Sequence, residues 1–461
     1  MIRHNLTDTI AAITTPLGES GIGIVRISGT QALEVADKVF TCKSKKIPSG
    51  FKTYTTHYGW IMAGGREVVD EVILTVMRAP KSYTREDVVE INCHGGIMAL
   101  RRALDLVLEN GCRLAEPGEF TKRAFLNGRI DLAQAEAVLD IIRAKTDYAL
   151  RVGEEQLKGA LSFKINRIRD KLLEALTALE AGIDFPEEEI TPAQLATLRQ
   201  RLEEAQHGLE EISRSSRLGR VLREGLSVVI CGRPNSGKSS LLNALLKQER
   251  SIVTPIAGTT RDTIEETLDI KGIPARIVDT AGILKARGLI EKKALQRTNK
   301  SIALADLVIL LFDGSCGLNK ADLSLIKKLR KKTVLAVINK IDLQQRLRKE
   351  KILKAFSRVI EISAKKTKGL DLLEEAIAGS AYQGLAPAAE SILVCNMRHI
   401  QELKRSQKLI GQAIVSLDDK LSVEFIAQDI KDALSYLDRL LGKEFSEDLL
   451  DKIFADFCIG K

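Results

Sequence analysis

Residues 232–239 read Gly-Arg-Pro-Asn-Ser-Gly-Lys-Ser, an instance of G-x-x-x-x-G-K-[ST]. This spacing suits phosphate chemistry. The glycines let successive backbone N–H groups turn toward one anion, and a helix starting after them adds positive potential. Lys238 would reach the β- and γ-phosphates and Ser239 would hold Mg²⁺, with Asn235, Ser236, Gly237 and Ser240 completing the cradle. Further on, Asp279-Thr280-Ala281-Gly282 offers a carboxylate to the Mg²⁺ shell and a glycine N–H to the terminal phosphate. Asn339-Lys340-Ile341-Asp342 offers a carboxylate that can accept from the N1–H and 2-amino group of guanine. Adenine lacks both donors and would leave that carboxylate unpaired. Ser363-Ala364-Lys365 follows the last of the apolar runs, at 359–362. These groups, in this order, predict binding of GTP and GDP with Mg²⁺, and GTP hydrolysis.

Such groups need strand ends to hold them. Short apolar runs at 227–231, 275–278, 307–312, 334–338 and 359–362 precede the successive motifs and alternate with helical patterns. That alternation predicts a parallel sheet with crossover helices over 221–379. Leu241, Leu242, Ala244 and Leu245 give the helix that must follow the phosphate loop. The first 127 residues read as α+β, with strands over 21–28 and 71–77 and a helix over 99–109 that stops at Asn110-Gly111. Long amphipathic stretches cover 128–220, at 150–180 and 193–214, broken at Asp184-Phe185-Pro186. Residues 380–461 are helical again. The simplest architecture inserts the α/β domain into one helical bundle built from both flanks. The fold class is therefore multi-domain, α+β followed by α/β within helices.

Composition narrows the function classes. The chain has 461 residues, too many for one core. Aromatics are 4%, with the single Trp60, which disfavours a base-stacking surface for single-stranded RNA. The formal net charge is +9, and Lys/Arg-rich stretches such as 345–354 read as solvated helix faces. Cys42, Cys93, Cys112, Cys231, Cys316, Cys395 and Cys458 show no C-x-x-C spacing, so a zinc site is not expected. The odd count, and a start that does not read as a signal peptide, suggest a cytoplasmic setting, and no apolar run is long enough to span a membrane. His94 beside Cys93 is better read as turn packing at Gly95-Gly96 than as a metal pair, because neighbouring strand residues face opposite ways.

The motifs carry a resemblance. Asn-Lys-x-Asp resembles the guanine motif of GTPases, Ser363-Ala364-Lys365 resembles their final base-contacting loop, and Gly258-Thr259-Thr260-Arg261-Asp262 resembles the first switch of the TRAFAC class that includes Era, Der and MnmE. One phosphate loop argues against a Der-like chain, and no KH-type G-x-x-G is evident as Era would need. The start, residues 83–96, residues 117–137 and the terminal Cys458-Ile459-Gly460-Lys461 are similar to the tRNA-modification GTPase family MnmE (TrmE) over essentially the whole chain.

That resemblance implies more than hydrolysis. It makes Thr260 the second protein ligand of Mg²⁺. It assigns K⁺ to Asn235, Thr254, Ile256 and Thr259, within a GTP-contacting segment that also includes Pro255, Ala257 and Gly258. It places a catalytic glutamate at Glu291 and folate contacts at Arg26, Glu90 and Arg129, for a formyl-tetrahydrofolate derivative. It makes Cys458 functionally required near that folate. It implies a homodimer formed through residues 1–127, which with the FAD-containing partner MnmG gives a heterotetramer or larger complex. This complex adds a carboxymethylaminomethyl-type group at C5 of the wobble uridine of certain tRNAs. Where Ras-like proteins carry a water-orienting glutamine this chain has Ile283, so hydrolysis needs another support or is very slow. Two other readings stay open, a ribosome-assembly GTPase and a scaffold that binds GTP without turnover. Cys458 also has a bland reading as an inert thiol, and Cys-Ile-Gly-Lys fits a lipidation box poorly.

Overall fold

The computed structural model describes residues 8–65, 67–184, 191–248, 266–279, 300–382 and 394–461. The chain divides into two compact units, Met1–Leu139 with Leu437–Lys461, and Asp140–Tyr436.

The first unit holds strands β1 (Ile10–Ile13), β2 (Ser20–Ser28), β3 (Phe40–Thr41), β4 (Thr55–Ala63), β5 (Glu67–Met77), β6 (Val88–Gly95) and β7 (Arg113–Leu114) in one sheet ordered β3-β4-β5-β6-β2-β1-β7. Alternation decides its faces. In β2, Val25 and Ile27 are fully buried, whereas Arg26 between them points to the other side. Helices α1 (Ala32–Val39) and α2 (Ile97–Glu109) cover the apolar face, where Leu100, Ala103 and Val107 pack against Val25, Ile27, Leu74 and Ile91. The α2 helix ends as expected, with Gly111 at φ 117°. On the other side comes α3 (Glu119–Leu126), whose Phe120 packs with Ile10 and Ala12, and α4 (Leu132–Arg143) follows it.

The C-terminal segment belongs to this unit. Helix α15 (Glu447–Phe454) and Phe457 bury Leu450, Phe454 and Phe457 against Ala124, Phe125, Leu132 and Leu139. These last 25 residues fall in the first unit, where they pack on α3 and on the start of α4, itself part of the 128–220 flank.

The second unit contains that bundle and the α/β domain. Its long helices are α5 (Asp147–Leu157), α6 (Ala160–Asp184), α7 (Pro192–Arg214), α13 (Met397–Asp418) and most of α14 (Val423–Leu441). The amphipathic stretch over 150–180 is divided between α5 and α6, because Gly159 turns at φ 89°. The N-terminus of α7 is set by a capping box in which Thr191 accepts from Gln194 N and Gln194 accepts from Thr191 N, at 3.3 and 2.7 Å. Arg199 pairs with Asp418 at 3.0 Å, joining α7 to α13 across the inserted domain.

The inserted domain is a six-stranded sheet, β13-β12-β11-β8-β10-β9, comprising β8 (Leu226–Cys231), β9 (Glu266–Ile270), β10 (Ile273–Asp279), β11 (Leu307–Asp313), β12 (Val334–Asn339) and β13 (Val359–Glu361). All neighbours are parallel except β9 and β10. Strand β11 shows why. Its seven residues are all buried, with Leu307, Ile309 and Leu311 in one core and Val308, Leu310 and Phe312 in another on the opposite face. Helices α8 (Ser216–Glu224), α9 (Lys238–Gln248) and α12 (Leu370–Tyr382) pack on the first face, α10 (Lys320–Leu329) and α11 (Glu350–Leu353) on the second. The helix expected through 345–354 is only the single turn α11. The N–H groups of Arg346 and Leu347 are drawn to the Gly314 carbonyl at 2.9 and 3.2 Å instead.

Candidate functional site

Two sites emerge, one in each unit. In the inserted domain, β8, β10, β11 and β12 all end on one edge of the sheet, and the chemistry sits there. Gly232 leaves β8 with a backbone that tolerates no Cβ, since one would lie 2.4 Å from the Leu311 carbonyl. Asn235 takes φ 63°, unusual for a side-chain-bearing residue, and its side chain is exposed. Gly237 is at φ 99°, where a Cβ would strike Asn339 Nδ2 at 2.2 Å. Lys238 is 5% exposed and donates to the carbonyls of Gly232 and Arg233 at 3.1 and 2.9 Å, which keeps its ammonium inside the loop. Ser239 and Ser240 are exposed on the first turn of α9. The Ser236 Oγ is buried and has no hydrogen-bond partner among the described residues.

Asn339 ties this loop to the last one. Its Nδ2 donates to Ser236 O at 2.9 Å, and its Oδ1 accepts from Ala364 N at 3.0 Å. Its side chain is thus committed to positioning both loops. The exposed Asp342 carboxylate accepts from Ser363 Oγ at 2.6 Å. That hydrogen bond, aided by Lys365 and Lys366, holds its carboxyl below the usual range and keeps it an acceptor.

Sequence reasoning missed Asp313. It ends β11, next to the loop, and is buried. Lys340 Nζ donates to its Oδ2 at 2.7 Å, Arg233 stands 3.6 Å away, and Ser315 donates to its Oδ1 through N and Oγ. Burial alone would raise its pKa; the Lys340 and Ser315 hydrogen bonds win and lower it. An aspartate closing an apolar strand, as Asp279 also does, was the available signal. Asp279 itself is the last residue of β10. Thr254, Pro255, Ile256, Ala257, Gly258, Thr259, Thr260, Thr280, Ala281, Gly282, Ile283 and Glu291 lie outside the described residues.

The second site lies in the first unit. Arg26 and Glu90 are cross-strand partners of β2 and β6, with Nε to Oε1 at 2.8 Å and each side chain 20% exposed. The Arg26 guanidinium also lies 5.6 Å from the Phe120 ring and 3.4 Å from the Gly460 carbonyl. Arg129 sits 4.7 Å over the Tyr83 ring. Burial raises the Tyr83 phenol's pKa, against its 3.0 Å bond with Thr121 and the positive charges of Arg129 and Arg26, so one tyrosine stands near both arginines. Tyr83, Phe120 and Gly460 were not singled out from sequence for this cluster.

The tail reaches it by main-chain contacts. Pro117 and Ile459 form a bridge, and Gly118 N donates to Cys458 O at 3.3 Å. Gly460 takes φ 93°, where a Cβ would lie 2.6 Å from Ile13 O. The Cys458 thiol is exposed. His94 is not turn packing. It is exposed on β6 and bonds Asp70 through Nδ1 at 2.6 Å, which raises its basicity, while its neighbour Cys93 is buried and pushed up to about 12.

Comparison with known proteins shows what this chain is similar to. Residues 132–458 match the family model for the MnmE helical domain, and residues 9–129 match that for the GTP-binding protein TrmE N-terminus. A relative from Alkaliphilus oremlandii is 46% identical over 459 residues, covering 99% of this chain and 100% of its own. One from Clostridioides difficile is 45% identical over 458 residues, covering 99% and 100%. One from Geobacillus kaustophilus is 46% identical over 462 residues, covering 98% and 99%. Each bears the name tRNA modification GTPase MnmE.

Proposed function

This chain belongs to the MnmE family of tRNA modification GTPases, and we propose that it hydrolyses GTP in a K⁺-activated manner to drive modification of tRNA wobble uridine. The observation that carries the K⁺ reading is the exposed Asn235 side chain, held by a φ of 63° at the mouth of the phosphate loop. Lys238, Ser239 and the N–H groups of 235–240 would hold the phosphates. Ser239 with Thr260 would hold Mg²⁺, and Asn235, Thr254, Ile256 and Thr259 would hold K⁺. The cation supplies charge where it develops in the transition state, in place of an arginine. Asp342 and Ser363 would read guanine, Asn339 would keep their loop in register with the phosphate loop, and Glu291 would assist the attacking water.

The donor set of the first unit fits a formyl-tetrahydrofolate. Two guanidiniums can grip a glutamate tail, and a carboxylate can accept from the amino edge of a pterin. Arg26, Glu90 and Arg129 would hold it, and the group would supply a one-carbon unit beside the Cys458 tail. We further read 1–127 as the folate-binding and dimerisation domain, 128–220 and 380–461 as the helical domain and 221–379 as the G domain. The partners would be a second copy, the FAD-containing MnmG and tRNA, in the cytoplasm. Among the described residues no helix is long and apolar enough to cross a membrane.

Phosphate release from GTP in matched KCl and NaCl, with Asn235→Ala alongside, tests this. K⁺ should raise turnover at least about tenfold, some 1.4 kcal/mol of barrier, and the variant should lose the effect. Equal rates in both salts would remove the K⁺ assignment, and no release in any cation would favour a scaffold.

A further inference from the structure

Residues 320–358 contain thirteen Lys and Arg against three Asp and Glu, a net +10, whereas the whole chain carries +9. The positive charge of this chain is therefore concentrated in 39 residues of the inserted domain. The fold concentrates it further. Lys327, Lys328, Arg330, Lys331 and Lys332 lie at the end of α10 and in the link to β12. Lys351, Lys354 and Arg358 lie in α11 and the link to β13. Strands β12 and β13 are parallel neighbours, with Ala336 opposite Val359, so the two basic runs enter the sheet side by side. All eight residues are exposed.

They share one face, because Ile326, Leu329, Ile352 and Phe356 belong to one core beneath them. They also sit at the edge where these strands begin, opposite the edge that carries Asn339 and Ser363.

The local carboxylates do not neutralise this edge. Asp322 is buried and caps α10, Glu361 is taken by Lys349 at 2.5 Å, and Asp306 is taken by Arg220 at 2.7 Å. Glu350, exposed at the start of α11, can offset one of the eight positive charges and leaves the edge strongly basic. Lys327, Arg330, Lys331, Lys351, Lys354 and Arg358 form no ion pair with another described residue. A few cations at a helix C-terminus are ordinary compensation for its dipole. Eight on two adjacent links exceed what two helix ends require.

We propose that this edge of the sheet docks the phosphate backbone of structured RNA. This rests on the family reading that the chain acts on tRNA. The chemistry favours a duplex backbone over exposed bases or a bilayer. Phe356 is the nearest aromatic in these segments and is buried, so nothing there stacks a base. The α11 helix is a single turn, too short to lay an apolar face into a membrane.

The test uses the full chain, an unmodified tRNA transcript, an RNA duplex of unrelated sequence, and vesicles of phosphatidylserine and phosphatidylcholine. Affinity is measured against NaCl concentration for the wild type, for Lys327→Gln/Arg330→Gln/Lys331→Gln/Lys354→Gln, and for a control with Arg at the three lysine positions. Each lost phosphate contact removes roughly 0.9 from the slope of log affinity against log salt. The glutamine variant should lose about 3–4 from that slope and at least about tenfold in affinity for both RNAs, and the arginine control should lose neither. Melting and RNA-free GTP hydrolysis should not change. Equal tRNA binding by wild type and glutamine variant overturns this surface while leaving the tRNA reading intact. Wild-type binding to neither RNA overturns both. Binding to vesicles alone overturns the RNA assignment.

Discussion

The two sites are built in opposite ways. The nucleotide site is a set of short contiguous motifs, each at the end of one strand of a parallel sheet, so sequence order is also spatial order. The site of the first unit draws Arg26, Tyr83, Glu90, Phe120, Arg129 and Gly460 from across the unit, and only sheet register and a docked tail bring them together. The first kind of site is held locally by its loops. The second is only as intact as the unit around it, so a change far from any ligand should damage it more.

The strongest way to break that contrast is at Arg123. This side chain is 2% exposed and meets Glu86 at 3.1 Å, Glu119 at 3.2 Å and also Asp8, which joins α3 to the start of the chain. Replacing it by Met leaves buried carboxylates short of a partner, a change that typically costs about 3–5 kcal/mol. Arg123→Met should unfold the first unit at markedly lower denaturant. Trp60, the only tryptophan, lies in β4 and reports on that unit alone. GTP affinity should stay within about twofold. A parallel loss of GTP binding would show that the two sites do not depend separately on their units.

A smaller effect is expected from Asp342→Asn in the nucleotide site. The amide cannot accept from both guanine donors, so GTP affinity should fall about 100-fold, roughly 2.7 kcal/mol. The Trp60 transition should not move. Unchanged discrimination of GTP from ATP would remove Asp342 from base recognition.

Gly460→Ala sharpens the comparison at the tail. A non-glycine residue at φ 93° costs about 1–2 kcal/mol, and here the Cβ also meets a backbone carbonyl. The tail should undock and release the main-chain contact to Arg26. Folate affinity, by calorimetry, should fall about tenfold with K⁺-stimulated GTP turnover unchanged. Full folate binding would make the tail a bystander.

The contrast also explains what could be read in advance. The strands of the α/β domain were legible because buried parallel strands are apolar without interruption, as 307–312 is. Asp313 was overlooked because an aspartate after such a run reads as a loop residue until the fold shows Lys340 and Arg233 on it. In the first unit, Arg26 and Glu90 are 64 positions apart, and no local pattern pairs them. Resemblance alone pointed to them. The segment 437–461 meets Leu132 and Leu139 of the 128–220 flank but also Ala124 and Phe125 of α3; helical periodicity says that an apolar face exists, and does not say which residues receive it. The basic segment 345–354 was read as a helix because its composition favours one, and the Gly314 carbonyl competed for its N–H groups.

The smallest expected effect is one of pH, and it too separates the units. Burial by itself raises the pKa values of Glu119 and Asp8, yet other groups outweigh it: for Glu119 the hydrogen bonds from Arg113 and the Glu116 N–H with the charges of Arg113 and Arg123, and for Asp8 the hydrogen bonds from Arg113 and Arg123, so their folded values are lowered from 4.5 and 3.8. Groups depressed in this way stabilise the folded state above their unfolded values, and that stability is lost as pH falls through the folded ones. The Trp60 transition should therefore hold steady from pH 7 to about 5 and weaken progressively below about 4.5. In Arg123→Met one source of the depression is gone, so the acid limb should be shallower as well as lower. A wild-type curve that stays flat to pH 3 would mean that Asp8 and Glu119 keep their charges equally well in the unfolded chain, and that Arg123 acts through packing rather than through charge.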